Sequence, residues 1–268
     1  MFVGLDLGSR SVKMAVSPRQ KDGLFTWPSR FECFDTFAFY TAYARYEDDV
    51  MRLDLPALGL AENACVAACG YGRQAAAIGG ASILPEIQAH ALGAQMATGS
   101  SDFLLIDIGG QDSKVVRVID NMVRDFSTND KCAAGSGRYL ENMGKVLGLD
   151  SEQLGAYWQE PAILNSTCAV FGESELVGKI IEGVSFASLA AGVNESVVKR
   201  LLPLIHRHLP VKDIYLAGGV AQNGAICRLL SQELGQSVKV LPQAQFNGAL
   251  GCCYYAWSLE QEKNKAGE

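Results

Sequence analysis

Residues 103–118 read FLLIDIGGQDSKVVRV, in which an apolar run carries one carboxylate, a Gly-rich turn follows, and a second apolar run contains a lysine. Residues 2–16 read FVGLDLGSRSVKMAV and follow the same plan. Apolar runs on both sides of turn residues are typical of a β-hairpin. Both stretches contain the pattern Asp-x-Gly-x4-Lys, which begins at Asp6 and again at Asp107. An internal repeat of this kind predicts duplicated architecture.

A carboxylate at the end of a buried strand, followed by glycine, suits the binding of a phosphate group with its metal ion. We call residues 6–13 the Asp6 turn and residues 107–114 the Asp107 turn. In each turn the carboxylate can hold a hydrated Mg²⁺ while backbone N–H groups face anionic oxygens. Lys13 neutralises phosphate charge, and Gln111 or Asp112 positions the attacking water. The candidate catalytic residues are Asp6, Asp107 and Gln111.

A third loop, with two adjacent glycines, lies farther along the chain. Residues 213–217 predict a β-strand that runs into Gly218 and Gly219, and a helix follows as far as Leu234. A strand, a double glycine and a helix let the backbone approach a nucleotide closely. Further helices are predicted over residues 86–96, 138–147, 173–182, 196–208 and 247–261.

Composition bounds the class of protein. The 268 residues are 49 % hydrophobic and 19 % charged, which excludes a disordered or fibrous chain. The net charge of −6 argues against a nucleic-acid-binding surface. The first six residues lack the basic and apolar segments of a signal peptide, and the longest apolar run, residues 248–257, is shorter than the roughly 20 residues that span a bilayer. We therefore expect a cytoplasmic protein with reduced thiols.

The three loops resemble those of a known superfamily. The Asp6 turn and the Asp107 turn are similar to the two phosphate motifs of actin, sugar kinase and Hsp70-type ATPases, and residues 216–223 are similar to their adenosine motif. The resemblance implies an α/β fold of two RNase H-like lobes around an ATP cleft. Lobe I would span residues 1–97 and lobe II residues 98–244, with a helix at about 245–262 packing back on lobe I. The expected cofactor-binding residues are Ser9, Arg10, Ser11, Val12, Lys13, Gly109, Gly110, Gly218, Gly219, Gln222 and Gln245.

Two of the eight cysteines, Cys132 and Cys168, lie shortly before predicted helices. A thiolate at a helix entrance is favoured by unpaired backbone N–H groups and by the positive end of the helix dipole. Their separation of 36 residues forms no local metal motif, and two such thiols are half of the four that a 4Fe-4S cluster needs. A two-fold dimer would supply the other pair. The alternative from spacing alone is that every cysteine packs as a small apolar residue.

Sequence resemblance favours the cluster. Six strings are similar to the activator ATPases of 2-hydroxyacyl-CoA dehydratases and benzoyl-CoA reductases; they lie at residues 5–9, 70–73, 106–114, 129–138, 166–171 and 244–251. The resemblance implies a homodimer that holds one 4Fe-4S cluster through Cys132 and Cys168 of each subunit, together with Mg²⁺ and ATP or ADP. It also implies ATP-driven delivery of a low-potential electron to an iron-sulfur dehydratase or reductase, with a ferredoxin or flavodoxin as donor.

Several features depart from the family or favour another interpretation. Arg10 occupies a turn position where the family has a small residue, and residues 31–53 match no family pattern. The alternative function is a small-molecule kinase of the amino-sugar type, in which Asp107 or Asp112 acts as general base and all cysteines are packing residues. His90 is predicted to be a buried packing residue of its helix.

Overall fold

The computed structural model describes residues 1–47, 50–61, 63–74, 81–129, 135–165 and 169–266. The chain divides into two compact units. Unit 1 comprises Met1–Gly99 with Phe246–Glu268, and unit 2 comprises Ser100–Gln245. Each unit is built on its own five-stranded sheet.

The sheet of unit 1 begins with an antiparallel hairpin and ends with parallel strands. The elements of unit 1 are β1 (Phe2–Leu7), β2 (Ser11–Ser17), β3 (Arg30–Asp35), α1 (Thr36–Tyr43), β4 (Ala44–Glu47), β5 (Val50–Leu53), β6 (Cys65–Cys69), β7 (Ser82–Ile83) and α2 (Glu86–Thr98). The strand order is β3-β2-β1-β6-β7, and β4 and β5 form a separate two-stranded sheet. β1 pairs antiparallel with β2 and parallel with β6.

The strands of unit 2 are β8 (Phe103–Ile108), β9 (Ser113–Ile119), β10 (Met122–Asn129), β11 (Ile214–Ala217) and β12 (Val238–Val240). They form a sheet of the order β10-β9-β8-β11-β12, in which β8 takes the place of β1. Its helices are α3 (Gly137–Leu147), α4 (Ser151–Leu154), α5 (Ala169–Ile181), α6 (Phe186–His206) and α7 (Gly224–Leu234). Alternate residues of β8 bury one face of the sheet against α3, α6 and α7, namely Leu104, Ile106 and Ile108.

The last helix, α8 (Asn247–Ala266), packs in unit 1 against α2 and β1. Glycines make this close packing possible. A Cβ at Gly4 of β1 would overlap the carbonyl oxygen of Ala249, and one at Gly251 would overlap that of Ala89 in α2. No helix within the described ranges is long and apolar enough to cross a membrane.

The duplication predicted from the repeat is confirmed in the strand register. Asp6 lies opposite Lys13 across β1 and β2, and Asp107 lies opposite Lys114 across β8 and β9. The equivalence continues beyond the repeated motif, because β6 and β11 occupy the same place in the two sheets. Both units therefore present an acid and a lysine at the same sheet position.

The loops after β6 and β11 are also equivalent. Gly70 has φ +93° and Gly218 has φ +86°, a region that favours glycine. A Cβ at Gly70 would press on the backbone of Leu7, and one at Gly218 on the backbone of Ile108. A short 3₁₀ turn follows in each case. The loop after β6 is therefore the unit 1 counterpart of the double-glycine loop, a correspondence that the sequence pattern alone did not reveal.

Candidate functional site

In unit 1 the acid of the Asp6 turn is buried and has a cation beside it. Asp6 is 4 % exposed, and its Oδ2 lies 3.5 Å from Nζ of Lys13. The thiol of Cys69, on the neighbouring strand β6, donates to its Oδ1 at 3.9 Å. Register alone brings these three side chains together, since all three occupy one row across β6, β1 and β2.

The residues that close the Asp6 turn face outward. Ser9 and Arg10 are exposed, and the Gly8 carbonyl accepts a hydrogen bond of 2.8 Å from Thr36 Oγ1. Arg10 forms an ion pair with Asp35 at 3.2 Å, so its charge is shared with a carboxylate of the end of β3. The side chain of Val12 is fully buried in the core, which leaves only its backbone for contact with a ligand.

In unit 2 one buried lysine serves two carboxylates. Nζ of Lys114 lies 2.7 Å from Oδ2 of Asp112 and 3.8 Å from Oδ2 of Asp107. Asp107 and Lys114 are 2 % and 5 % exposed. The turn is closed by a backbone hydrogen bond of 2.9 Å from Gly109 to the carbonyl of Asp112. The two carboxylates carry one more negative charge than the single lysine neutralises. Carboxylate oxygens of this kind are suitable ligands for Mg²⁺.

The tip of the Asp107 turn carries two backbone donors held in one direction. The carbonyls of Gly109 and Gly110 accept hydrogen bonds of 2.9 Å from the N–H groups of Gly137 and Arg138 at the start of α3. In a trans peptide the N–H points opposite to the carbonyl of the same peptide unit, so the N–H groups of Gly110 and Gln111 point away from α3. Neither N–H has a hydrogen bond to another described residue. Two such adjacent donors favour an anion.

The double-glycine loop lies directly beside Asp107. Ala217 of β11 pairs with Asp107, so Gly218 follows at the same edge of the sheet. A Cβ at Gly218 would lie 2.9 Å from Oδ1 of Asp107 and would overlap the Ile108 carbonyl, whereas one at Gly219 would meet nothing within 4 Å. The first glycine is therefore required for packing against the acid, and the second leaves open space.

Hydrogen bonds between polar side chains hold the end of the double-glycine loop in place. Gln222 donates to Oε1 of Gln245 at 2.6 Å. The side chain of Asn223 caps α7 and donates to Asn194 at 2.9 Å, and Asn194 in turn donates to the carbonyls of Leu154 and Tyr157. Sequence reasoning placed Asn223 at the end of the predicted adenosine motif without giving it a role, and it did not single out Asn194. An asparagine one residue before a helix was a visible N-cap signal, whereas nothing marked Asn194 in the middle of α6.

The structure thus collects the predicted site residues in two groups. Unit 1 brings together Asp6, Lys13 and the turn between them, in which Ser9 and Arg10 are exposed and Ser11 is half-buried. Unit 2 brings together the Asp107 turn, Gly218, Gly219 and the Gln222–Gln245 pair, with Gln111 exposed at the turn tip.

The cysteines divide into two classes. Cys132 and Cys168 lie outside the described residues, which hold no cluster of three metal-ligating side chains. The six cysteines that are described are all free. Burial raises the pKa of Cys253 to about 12, and a hydrogen bond with Cys252 together with burial raises the pKa of Cys69 well above its usual value. These thiols are protonated at neutral pH and act as packing residues.

His90 is buried on α2, as predicted for a packing residue. Its backbone carbonyl accepts a hydrogen bond of 2.8 Å from Nδ2 of Asn247, and Nδ1 of its ring lies 3.4 Å from the same nitrogen. Its Nε2 and Oδ2 of Asp6 both lie within 3.3 Å of the point that a Cβ at Gly248 would occupy. The ring therefore packs close to the acid of the Asp6 turn.

Comparison with known proteins assigns the family. Residues 3–256 match the BadF/BadG/BcrA/BcrD ATPase family. This chain belongs to that family and is an ATPase. The (R)-2-hydroxyglutaryl-CoA dehydratase activating ATPase of Acidaminococcus fermentans is 39 % identical over 193 residues, which cover 71 % of this chain and 74 % of that protein.

Two solved structures resemble the whole chain of this family member. The activator of the 2-hydroxyisocaproyl-CoA dehydratase from Clostridium difficile with bound ADPNP has a TM-score of 0.83 at 28 % identity and covers 99 % of this chain and 98 % of its own. The (R)-2-hydroxyglutaryl-CoA dehydratase component A of Acidaminococcus fermentans has a TM-score of 0.79 at 31 % identity, with 97 % and 98 % covered. The predicted fold class and the predicted family are both confirmed.

Proposed function

We propose that this ATPase is an ATP-dependent electron-transfer activator: a homodimer with one bridging 4Fe-4S cluster that delivers a low-potential electron to an iron-sulfur dehydratase or reductase. The observation that carries the ATP-dependent part is the Asp107 turn, where the buried Asp107 and the half-buried Asp112 lie beside two backbone donors that no described residue uses. The relatives named above support the activator part, since they activate 2-hydroxyacyl-CoA dehydratases.

The nucleotide contacts follow from the two turns. Asp6 and Asp107 would hold Mg²⁺ through its water ligands, since Mg²⁺ retains most of its hydration in proteins. Lys13 would neutralise phosphate charge beside the Asp6 turn. In the Asp107 turn the N–H groups of Gly110 and Gln111 would bind phosphate oxygens, and the exposed Gln111 side chain would position the attacking water.

The remaining contacts are those to the nucleoside. Gly219, with open space around it, would allow the nucleoside to approach the backbone closely. Gln222 and Gln245 would line it, and their mutual hydrogen bond fixes both side chains before a ligand arrives. The functional lobes would be lobe I at residues 1–97, to which the last helix belongs, and lobe II at residues 98–244.

The donor set suits an iron-sulfur cluster. Cys132 and Cys168 supply two thiolates per chain, so two chains supply the four that a 4Fe-4S cluster needs. The helices that follow them in the sequence, α3 and α5, have no acidic residue in their first turns, so no carboxylate there opposes a negatively charged cluster. When bound, such a cluster stores and transfers a single electron.

An exposed apolar face supports the dimer. Helix α5 begins at Ala169, the residue after Cys168. Val177, Ile180 and Ile181 share one face of this helix and are all exposed, Ile181 by 81 %. Phe171, which is 71 % exposed, lies on the opposite side from Ile180. Monomeric proteins rarely leave large apolar side chains clustered on one helix in water. A second copy of the chain, related by a two-fold axis, would cover this face and bring the cysteines of both copies to one axis.

The proposed partners complete the electron path. A ferredoxin or flavodoxin in the cytoplasm would reduce the activator, and an iron-sulfur dehydratase or reductase would accept the electron. ATP can drive this transfer only if it binds two conformations of the activator with different affinity.

The test is electron transfer under strict anoxia. The protein is used as bait to capture its acceptor, and the reduction of the captured protein is followed spectroscopically with and without ATP. We expect reduction only with ATP, and we expect Asp107→Asn to abolish both ATP hydrolysis and reduction. The control is Asp213→Asn, because Asp213 pairs with the exposed Lys239 at 2.9 Å, away from the turn. Reduction that proceeds equally without ATP contradicts the proposal.

A further inference from the structure

We propose that Ser136 is a positioning residue for the nucleotide: its hydroxyl locks the Asp107 turn in the conformation that points the Gly110 and Gln111 N–H groups toward phosphate. The inference rests on the part of the proposed function that places ATP at this turn. Ser136 is fully buried, precedes α3, and donates from Oγ to the carbonyl of Gly110 at 3.1 Å.

The hydroxyl of Ser136 does not perform the usual task of its position. A serine before a helix ordinarily accepts hydrogen bonds from the N–H groups of the first turn. Ser136 makes no side-chain cap hydrogen bond to α3. Two of the first N–H groups of α3, those of Gly137 and Arg138, donate instead to the turn carbonyls of Gly109 and Gly110. The helix start and the turn thus satisfy one another's backbone groups.

A second serine ties the same chain segment to the sheet. Ser113, the first residue of β9, is fully buried and donates from Oγ to the carbonyl of Gly135 at 2.5 Å. Ser113 lies one residue after the Asp107 turn's Asp112, and Gly135 lies one residue before Ser136. The turn is therefore attached to the start of α3 on both of its sides.

Close packing leaves little room for the turn to move separately. A Cβ at Gly137 would lie 3.1 Å from the Gly109 carbonyl oxygen, 3.3 Å from Cγ2 of Val220 and 3.4 Å from Cα of Gly110. A side chain on the first residue of α3 would therefore press on the turn and on Val220, and these neighbours would have to shift. With that contact in place, the turn, the helix start and the 3₁₀ turn after Gly218 form one packed group.

The shared peptides make phosphate binding and helix attachment mutually reinforcing. The peptide unit between Gly109 and Gly110 accepts a hydrogen bond from Gly137 at its carbonyl and carries the Gly110 N–H. The next peptide unit, between Gly110 and Gln111, accepts from Arg138 and Ser136 at its carbonyl and carries the Gln111 N–H. Hydrogen bonding at one end of a peptide polarises the other end. Phosphate bound to the N–H groups should tighten the contacts to α3, and by linkage the hydroxyl of Ser136 should raise nucleotide affinity.

The experiment measures the affinity of the full-length protein for a non-hydrolysable ATP analogue with Mg²⁺, together with kcat and KM for ATP. Ser136→Ala and Ser136→Gly both remove the hydroxyl, and glycine is itself well tolerated before a helix. We expect either change to raise Kd and KM about three- to tenfold, the effect of one lost neutral hydrogen bond, with kcat changed less than about twofold. Ser231→Ala is the control, since its hydroxyl bonds Cys227 and Val238 in the same unit.

Amide exchange gives a second readout that a purely structural role would not move. The analogue should slow exchange at Gly137 and Arg138 in the wild-type protein and much less in Ser136→Gly. Unchanged Kd and unchanged protection in both Ser136 variants would overturn the inference. If Asp107→Asn weakens analogue binding in the same series, the placement of ATP at the turn stands even when the inference fails. If neither Asp107→Asn nor the Ser136 variants weaken analogue binding, the placement of ATP at the turn and the role of Ser136 are both wrong.

Discussion

Replacing Gly218 by alanine perturbs the contact between the double-glycine loop and the acid of the Asp107 turn. Gly218 has φ +86° and ψ +173°, a backbone region that only glycine occupies readily. The new Cβ would lie 2.7 Å from the carbonyl carbon of Ile108 and 2.9 Å from Oδ1 of Asp107. Both neighbours are parts of a buried central strand, so neither can move aside without shifting β8 or β11.

The expected cost has two parts. A non-glycine residue in this backbone region costs about 1–3 kcal/mol, and forcing an extra methyl group into close packing costs about 1–3 kcal/mol more. A total loss of about 2–6 kcal/mol is a large fraction of the stability of an ordinary domain. It should lower the midpoint of thermal unfolding of unit 2 by roughly 5–20 °C. The displaced Asp107 carboxylate should also weaken Mg²⁺-dependent ATP binding.

Two other glycines separate strain from steric overlap. Gly235 also has a positive φ, +60°, but a Cβ there would meet nothing within 4 Å, so Gly235→Ala should cost only about 1–2 kcal/mol. Gly219→Ala has neither feature and should change stability by less than about 1 kcal/mol. Thermal and urea unfolding of the three variants, with ATP affinity measured on each, tests the order. Equal stability of Gly218→Ala and Gly219→Ala would show that neither backbone strain nor steric overlap at Gly218 has the expected cost.

Two further predictions concern buried charge and buried thiols. Lys114→Met leaves the two carboxylates of the Asp107 turn without their ammonium group and should lower the free energy of unfolding by about 3–5 kcal/mol in urea titrations, whereas Lys239→Met, at an exposed pair, should change it far less. Equal effects would argue against a buried ion pair. Because burial raises the pKa of Cys253 to about 12, its thiol should resist iodoacetamide at pH 8 in the folded protein while the exposed Cys33 reacts, as mass spectrometry would show. The stability that this raised pKa contributes is complete below about pH 9 and is lost as pH rises toward 12. Labelling of both cysteines at equal rates would contradict this assignment.

The parts of the fold that the sequence predicts well are those fixed by local pattern. Asp-x-Gly-x4-Lys predicts two hairpins, and their register places each acid opposite its lysine because a two-residue periodicity puts both on one face. The helix predicted over residues 86–96 is observed as Glu86–Thr98, because its ends are marked locally: Glu86 suits the first turn, and Gly99 ends the helix in a left-handed conformation.

Errors arose where tertiary packing decides the element. Helix α6 begins at Phe186, ten residues before the predicted start at 196, because residues 186–195 include Gly192 and several alanines that give a weak periodic signal. In the fold Gly192 is needed, since a Cβ there would overlap the carbonyl of Ala162. Close contact between distant segments of this kind leaves no mark in a single sequence.

In the candidate site, too, local motifs could be predicted from the sequence whereas features that depend on tertiary packing could not. The acids and lysines were visible as a motif, but the direction of the Gly110 and Gln111 N–H groups depends on hydrogen bonds from α3, which begins more than twenty residues later. The equivalence of Gly70 and Gly218 was hidden because Cys69-Gly70 and Ala217-Gly218 share only the glycine. Their common role is defined by backbone conformation rather than by side-chain chemistry.

The proposed function requires that two copies of this ATPase share one cluster through Cys132 and Cys168. It is tested most directly by anaerobic reconstitution of the wild-type protein, Cys132→Ser, Cys168→Ser and the packing control Cys227→Ser, followed by iron and sulfide analysis and measurement of the mass in solution. We predict about four irons per dimer in the wild-type and control proteins and loss of the cluster in the other two variants. A Cys132→Ser protein that still holds about four irons per dimer would rule out Cys132 as a cluster ligand.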